Sequence, residues 1–95
     1  MLKPLEELVN IIRERKNVNP EKSYTNKLLN DKKMCVGKVH EEINELIEAI
    51  EKNDNKVHEA ADVLYHLLVL LECSEIKIET VMEELKKRQN EVRQK

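Results

Sequence analysis

The sequence predicts an all-α fold, and three observations support that class. The only aromatic residues are two Tyr, and the chain has a single Gly and two Pro. Charged residues make up 38% of its 95 positions. This composition favours helices, because strands are enriched in aromatic and β-branched residues. Apolar residues also recur at intervals of three and four along much of the chain, as expected for helices with one buried face.

The individual elements follow from this spacing and from the residues that interrupt it. The first helix should begin near Pro4, which is tolerated in a first turn, and end near Asn17. Residues 31–33 are expected to form a polar connection. The remaining helices are expected at residues 22–30, 34–52, 56–73 and from 78 onward. We therefore expect four main helices plus a short one, in one domain covering residues 1–95.

The apolar residues of the two central helices predict a partner. In the helix at 56–73, nearly every side is apolar from Ala60 to Leu71, so more than one face must be covered. A chain of this size has little material for that purpose. The sequence therefore favours a homodimer that completes the helical bundle. In the preceding helix, six residues are expected to form one apolar stripe: Val36, Val39, Ile43, Leu46, Ile47 and Ile50.

Several classes of protein do not fit the composition. The formal net charge of −2 gives no reason to expect nucleic acid or an anionic membrane as a partner. The longest apolar stretch, 63–71, is broken by Tyr65 and His66 and is too short to span a bilayer. The N-terminal residues lack the apolar run of a signal peptide. Cys35 and Cys73 form no CxxC pair, so we expect two buried thiols in a cytoplasmic protein.

Two short acidic motifs, Glu41-Glu42-Ile43-Asn44-Glu45 and Glu59-Ala60-Ala61-Asp62, flank a predicted turn at 53–55, and the pairs 45/59 and 42/62 both centre on position 52. Within each motif the acids fall three residues apart, so on a helix they share one face, about 4.5 Å apart along the axis. Residues equally far from the turn of an antiparallel helix pair lie at the same level. Glu45 should therefore face Glu59. By the same reasoning, Glu42 should face Asp62. Four converging carboxylates repel one another unless a cation holds them together.

The type of ligand indicates which metal would bind. Carboxylate oxygens suit Mg²⁺, or alternatively Mn²⁺. The segment from His58 to Asp62 misses the HExxH zinc motif because it ends in Asp, and His58 is expected at the surface. A di-iron bundle would need Glu-x-x-His on two helices. Mg²⁺ held by a few carboxylates keeps positions open for water and for substrate phosphates, which predicts phosphate chemistry.

Longer motifs give the chain a family resemblance. The acidic motifs resemble those of the MazG-like all-α nucleoside triphosphate pyrophosphohydrolases. Four longer segments are more specific: Ser23-Tyr24-Thr25 followed by Leu28-Leu29, Lys38-Val39-x-Glu41-Glu42, Glu59-Ala60-Ala61-Asp62-Val63-Leu64-Tyr65-His66-Leu67-Leu68-Val69-Leu70-Leu71, and Val81 with Glu84-Leu85 and Arg88. In these segments the chain is similar to the phosphoribosyl-ATP pyrophosphohydrolases of histidine biosynthesis.

The resemblance implies a function and a set of roles. The reaction would be Mg²⁺-dependent hydrolysis of 1-(5-phosphoribosyl)-ATP to 1-(5-phosphoribosyl)-AMP and pyrophosphate, in a cytoplasmic homodimer with a MazG-like bundle. Glu41 would orient or deprotonate the attacking water. The metal ligands would be Glu42, Glu45, Glu59 and Asp62. The residues expected to bind the nucleotide or its phosphates are Ser23, Tyr24, Thr25, Lys38, His66 and Arg88.

Two other functions remain open at the level of sequence. A MazG-like hydrolase of noncanonical or deoxynucleoside triphosphates would use the same metal site. A substrate panel separates that activity from phosphoribosyl-ATP hydrolysis. A non-catalytic helical dimer acting as an adaptor would release no pyrophosphate and would show no effect of Mg²⁺ on its melting temperature.

Overall fold

The computed structural model describes residues 1–94, which form six α-helices and no strand. Two short 3₁₀ turns, Arg15–Asn17 and Pro20–Lys22, connect the first two helices. None of the helices in this part of the chain combines the length and the apolar character needed to cross a bilayer. The all-α prediction is therefore confirmed. The helices are α1 (Lys3–Glu14), α2 (Tyr24–Leu29), α3 (Lys32–Lys52), α4 (Lys56–Cys73), α5 (Ile78–Lys87) and α6 (Gln89–Gln94).

Capping side chains account for most differences between the predicted and observed helix ends. The prediction of a polar connection at 31–33 was wrong, because α3 already begins at Lys32. The Asp31 side chain accepts a hydrogen bond from the Met34 amide at 3.0 Å and so caps this helix. The Ser23 side chain caps α2 in the same way, so that helix begins later than predicted. At the C-terminus, the predicted single helix is divided at Arg88 into α5 and α6.

The acidic motifs are brought together by a tight turn between α3 and α4. Asn53 ends α3 with φ of 55°, and Asn55 precedes α4 with φ of 58°. Asn tolerates this left-handed conformation better than most residues, because its short polar side chain can hydrogen-bond locally. The Asp54 amide donates to the Ala49 carbonyl at 3.0 Å. The turn folds α4 back along α3, and its length fixes which residues of the two helices face each other.

The core lies where α1, α2 and the buried sides of α3 and α4 meet. Its fully buried side chains are Ile12, Leu28, Cys35 and Val69. Buried Asn26 donates from its side-chain amide to the carbonyl oxygens of Arg15 and Lys16, at 2.7 and 3.2 Å. This pair of hydrogen bonds ties the short helix α2 to the end of α1. Both cysteines are free thiols; Cys35 is buried, as expected, whereas Cys73 is only half-buried.

The apolar residues of α3 differ in how far the rest of the chain buries them. Val39 is buried against the rest of the chain, whereas Ile43, Ile47 and Ile50 are 40%, 50% and 57% exposed. At 100° per residue the six predicted residues lie within about 100° of the helix circumference, so they do form one stripe, but the rest of the chain covers only one edge of it. Together with exposed residues of α4, these side chains form what we call the apolar face: Val36, Ile43, Ile47, Ile50, Val57, Leu64 and Leu67.

A cluster of ion pairs holds α5 against the end of the bundle that lies away from the α3–α4 turn. The Arg13 guanidinium donates to both carboxylate oxygens of Glu79 on α5, at 2.9 and 2.8 Å. It also donates to Glu72 on α4 at 3.2 Å, and Lys16 contacts the same carboxylate at 2.8 Å. Arg13 thus joins α1, α4 and α5.

Acid should weaken this cluster in a predictable way. The hydrogen bonds from Arg13 lower the pKa of Glu79 to about 2, against about 4.3 in an unfolded chain. The stabilisation from this pair is therefore complete above about pH 4.3 and is lost as the pH falls toward 2. We expect Arg13→Gln to lower the melting temperature at pH 7 and to reduce its decline between about pH 5 and 2.

Arg15→Gln serves as the matched control, because Arg15 is exposed and its replacement by Gln removes the same positive charge. Circular dichroism melts over that pH range test the expectation. Identical pH profiles for the Arg13→Gln variant and the unaltered protein would contradict it.

Candidate metal centre

The carboxylates of the two motifs meet beside the α3–α4 turn. Glu42 and Glu45 on α3 and Glu59 on α4 each place a carboxylate oxygen within 4.8 Å of the others. Glu42 is buried, Glu59 is half-buried and Glu45 is exposed. The group therefore has a buried floor and an open side toward solvent. With Asp62 we call these residues the acidic cluster.

The innermost oxygens of the cluster lack partners. Oε2 of Glu42 and Oε2 of Glu59 are buried and receive no hydrogen bond from any group in residues 1–94. Burial raises the pKa of the Glu42 carboxyl, and the neighbouring Glu45 raises it further. The pKa of Glu59 is raised for the same two reasons. Unpaired buried oxygens that repel each other are costly in a folded protein, and a cation between them would reverse the sign of the interaction.

A second group of possible ligands shares Glu59. His58 and Asp62 place ligand atoms within 4.8 Å of a Glu59 oxygen and of each other. The His58 Nε2 atom lies 3.3 Å from the Asp62 Oδ2 atom. We expected His58 at the surface, and its side chain is 65% exposed. The only sequence signal that places His58 at the site is its spacing of four residues from Asp62 on one helix, and we had predicted no role for it there.

The donor set fits a hard divalent cation. Three of the four acids in the cluster place ligand atoms within 4.8 Å of one another, and two of these acids, Glu42 and Glu59, each have an unpaired buried oxygen. Mg²⁺ prefers oxygen ligands and keeps several waters, which suits a site with an open side. One exposed imidazole at the edge does not make the zinc donor set of mainly His and Cys.

A hydrogen-bonded chain connects the acidic cluster to α2. His66 lies one turn beyond Asp62 on α4 and is buried, with 6% of its surface exposed. Its Nδ1 atom is 2.8 Å from the Asp62 carbonyl oxygen, and its Nε2 atom is 3.0 Å from the Tyr24 hydroxyl. Tyr24 is 45% exposed. Burial raises the pKa of its phenol; nearby Lys38 lowers that pKa, and the charge of Glu42 raises it.

The other residues of the Ser-Tyr-Thr segment have structural contacts. The Ser23 hydroxyl accepts the Asn26 amide at 3.1 Å as the cap of α2. The Thr25 hydroxyl lies 2.5 Å from the hydroxyl of Tyr65 on α4. The first contact fixes the start of α2, and the second holds α2 against α4; Tyr24 lies between the two residues in the sequence. The predicted roles of Ser23 and Thr25 in nucleotide binding stay predictions.

The remaining predicted residues lie outside the acidic cluster. Lys38 forms an ion pair with Glu41 at 3.3 Å, and both side chains are partly exposed. Glu41 does not belong to either group of possible metal ligands. Arg88 contacts Glu84 at 2.8 Å on the surface of α5. The structure of one chain does not bring Arg88 to the acidic cluster, and its predicted contact with phosphate stays a prediction.

The fold and the cluster define a class of protein. An all-α chain with opposed acidic motifs on two antiparallel helices has the architecture of the MazG-like pyrophosphohydrolases. Comparison with known families narrows this class, because the family model described as phosphoribosyl-ATP pyrophosphohydrolase matches residues 5–89. The chain belongs to the phosphoribosyl-ATP pyrophosphohydrolase family.

Curated relatives from distant organisms share this similarity. A protein of Allorhizobium ampelinum is 44% identical over 88% of this chain and 84% of its own length. One from Halobacterium salinarum is 40% identical over 90% of this chain and 96% of its own. One from Clostridium acetobutylicum is 45% identical over 93% and 83%, respectively. All three are named phosphoribosyl-ATP pyrophosphatase.

Proposed function

We propose that this protein hydrolyses 1-(5-phosphoribosyl)-ATP to 1-(5-phosphoribosyl)-AMP and pyrophosphate, an early step of histidine biosynthesis, in the cytoplasm. The observation that carries the proposal is the pair of unpaired buried oxygens on Glu42 and Glu59, in a chain of this family. A phosphoanhydride carries dense negative charge, and bare carboxylates would repel it. The cluster therefore makes chemical sense for such a substrate only with a divalent cation.

The residues of the site have separable tasks in this proposal. Glu42, Glu45, Glu59 and Asp62 would hold Mg²⁺, with Mn²⁺ as an alternative. An ion held there would neutralise charge on the phosphates and would lower the pKa of a bound water. Glu41 would orient the attacking water or accept its proton, since a carboxylate within hydrogen-bond reach can act as a general base. Lys38 would leave its partner Glu41 to meet a phosphate oxygen.

We also propose that the functional unit is a homodimer joined through the apolar face. The seven residues of this face belong to α3 and α4, which pack against each other, and five of them are at least 40% exposed. Extensive apolar exposure on one helix pair is uncommon on a monomer. A second copy presenting the same face would complete the bundle, as a two-fold axis requires. The face and the acidic cluster share the same two helices, so dimerisation would also stiffen the site.

A pyrophosphate-release assay tests the proposed reaction. We expect release from phosphoribosyl-ATP to exceed release from ATP, deoxynucleoside triphosphates and noncanonical nucleotides, and to stop when a chelator removes the divalent ion. Added Mg²⁺ should restore activity and raise the melting temperature, because an ion that binds only the folded chain stabilises it. Preference for another nucleotide would favour a MazG-like hydrolase of different substrate. No release from any nucleotide and no Mg²⁺ effect would favour the non-catalytic dimer.

A further inference from the structure

When the His66 ring is neutral, its two contacts determine which nitrogen carries the proton. The Asp62 carbonyl oxygen, 2.8 Å from Nδ1, can only accept a hydrogen bond. Nδ1 must therefore carry a hydrogen. A neutral imidazole has one donor and one acceptor, so Nε2 is the acceptor. The Tyr24 hydroxyl, 3.0 Å from Nε2, consequently donates its only proton to His66.

The direction of this hydrogen bond limits what the Tyr24 oxygen can bind. Having donated its proton, the oxygen can only accept further hydrogen bonds. Within residues 1–94, the contact with His66 is the one hydrogen bond that the structure records for this hydroxyl. The nearby Thr25 hydroxyl is engaged with Tyr65, and the Lys38 ammonium is paired with Glu41. The phenol oxygen is thus an unfilled acceptor on a side chain that is 45% exposed.

The position of this acceptor connects it to the acidic cluster. Tyr24 is close enough to Glu42 and Lys38 for both charges to influence its phenol. His66 is held by the backbone of Asp62, and its ring packs edge-on against the Tyr65 ring, with centroids 4.9 Å apart. Tyr24 and Tyr65 stack with centroids 6.4 Å apart. The phenol is therefore held by the buried His66 and the half-buried Tyr65, next to residues of the proposed metal site.

We propose that Tyr24 determines substrate specificity by accepting a hydrogen bond from a hydroxyl or amino group of the nucleotide's sugar or base, and that His66 is the positioning residue that sets this polarity. Phosphate oxygens are acceptors, so the Tyr24 oxygen cannot bind them. It would instead contact a part of the substrate that carries hydrogen-bond donors, the sugar or the base. This inference rests on the proposed function and adds to it a residue that distinguishes the nucleoside from its phosphates.

Kinetics of the Tyr24→Phe variant test the role of the hydroxyl. Because a neutral hydrogen bond contributes modestly to binding, we expect KM for phosphoribosyl-ATP to rise roughly five- to tenfold, with kcat nearly unchanged. Thr80→Val is the control, since it removes an exposed hydroxyl from a different helix, α5, and should leave KM unchanged. His66→Leu should raise KM as Tyr24→Phe does. His66→Gln, whose side-chain oxygen can accept from Tyr24, should restore a low KM.

A spectroscopic measurement tests the polarity without any substrate. Long-range ¹H–¹⁵N correlation spectra should show His66 protonated at Nδ1 and unprotonated at Nε2. In Tyr24→Phe the Nε2 resonance should move downfield, because it loses its donor. A proton on Nε2, in either a neutral or a doubly protonated ring, would overturn the inference even if the His66→Leu variant did not fold.

Competition experiments locate the donor on the nucleotide. Inhibition by ATP, 2′-deoxy-ATP and 3′-deoxy-ATP is compared between the unaltered protein and Tyr24→Phe. If the Phe variant weakens ATP but not one deoxy analogue, the donor is that ribose hydroxyl; equal weakening of all three indicates the base. If ATP binding is unaffected while KM for phosphoribosyl-ATP rises, the donor lies on the phosphoribosyl group. No turnover by the unaltered protein would contradict the proposed function, whereas turnover with unchanged KM in Tyr24→Phe contradicts only this inference.

Discussion

Replacing Glu42 with Gln should abolish pyrophosphate release while leaving the protein folded. Glu42 is the most buried acid of the cluster, and one of its oxygens has no partner in the described chain. Changes to groups that merely support metal ligands typically cost 10- to 100-fold in affinity or activity, so loss of a direct ligand should cost at least about 100-fold. Asp62→Asn should have a similar effect. Steady-state assays at saturating Mg²⁺ measure both.

The same substitution should stabilise the metal-free protein. Burial and Glu45 raise the pKa of the Glu42 carboxyl, so its neutral form is favoured in the folded state. Protonated Glu42 therefore favours folding. This contribution to stability is complete below the pKa that Glu42 has in the unfolded chain, and it is lost as the pH rises through the higher pKa that Glu42 has in the folded chain. Gln stays neutral at every pH. In the presence of a chelator at pH 7, the Glu42→Gln variant should therefore melt at a higher temperature than the unaltered protein.

Glu51→Gln provides the control for both measurements. Glu51 is an exposed acid on the same helix, and its replacement makes the same change in net charge. We expect it to alter neither activity nor metal-free stability appreciably. Full activity in Glu42→Gln, or equal loss in Glu51→Gln, would defeat the assignment of Glu42 as a ligand.

Replacing two residues of the apolar face should separate the proposed dimer into monomers. Ile47 and Leu64 are each 50% exposed in the single chain. Burying a large aliphatic side chain contributes about 1.5–3 kcal/mol, and a two-fold interface contains each residue twice. The Ile47→Ser/Leu64→Ser variant should therefore raise the dimer dissociation constant by more than about 100-fold. Sedimentation velocity over a range of protein concentrations measures this directly.

Ile11→Ser is the matched control for the apolar face. Ile11 is 45% exposed on α1 and lies outside the apolar face. Its replacement should not change the association state. A monomeric unaltered protein, or a double variant that remains dimeric at nanomolar concentration, would contradict the proposed interface. If the double variant becomes monomeric and also loses its activity, the metal site depends on the second copy.

The sequence predicted the parts of the fold that depend on local pattern. The observed ends of α4, Lys56 and Cys73, agree with the prediction, since Asn55 and Ser74 lie just outside an uninterrupted apolar pattern. The fold class and the family were predicted because composition and motifs are properties of the chain itself. The approach of Glu45 to Glu59 followed from one assumption, a tight antiparallel turn, which the left-handed Asn53 and Asn55 provide.

Features that depend on contacts between distant residues were not predicted. The ion pairs of Arg13 join residues that are 59 and 66 positions apart, and no local pattern marks them. The contact between Tyr24 and His66 likewise joins residues that are far apart in the sequence, 42 positions, and no local pattern marks it. The division of the α3 apolar residues into buried and exposed sets could not be predicted either, because the spacing alone does not show how many helices pack around α3. The start of α3 was misplaced because Asp31 was treated as part of a polar connection rather than as a cap.

The short turn after Lys52 limits how the chain can change length over evolution. One residue inserted among Asn53, Asp54 and Asn55 would rotate α4 by about 100° relative to α3 and carry Glu59 away from Glu42. An insertion between Cys73 and Ile78 would only displace α5. Homologues that keep the chemistry should therefore tolerate insertions between α4 and α5 but not between α3 and α4. A constant number of residues between the two acidic motifs should then help to recognise remote members of the family.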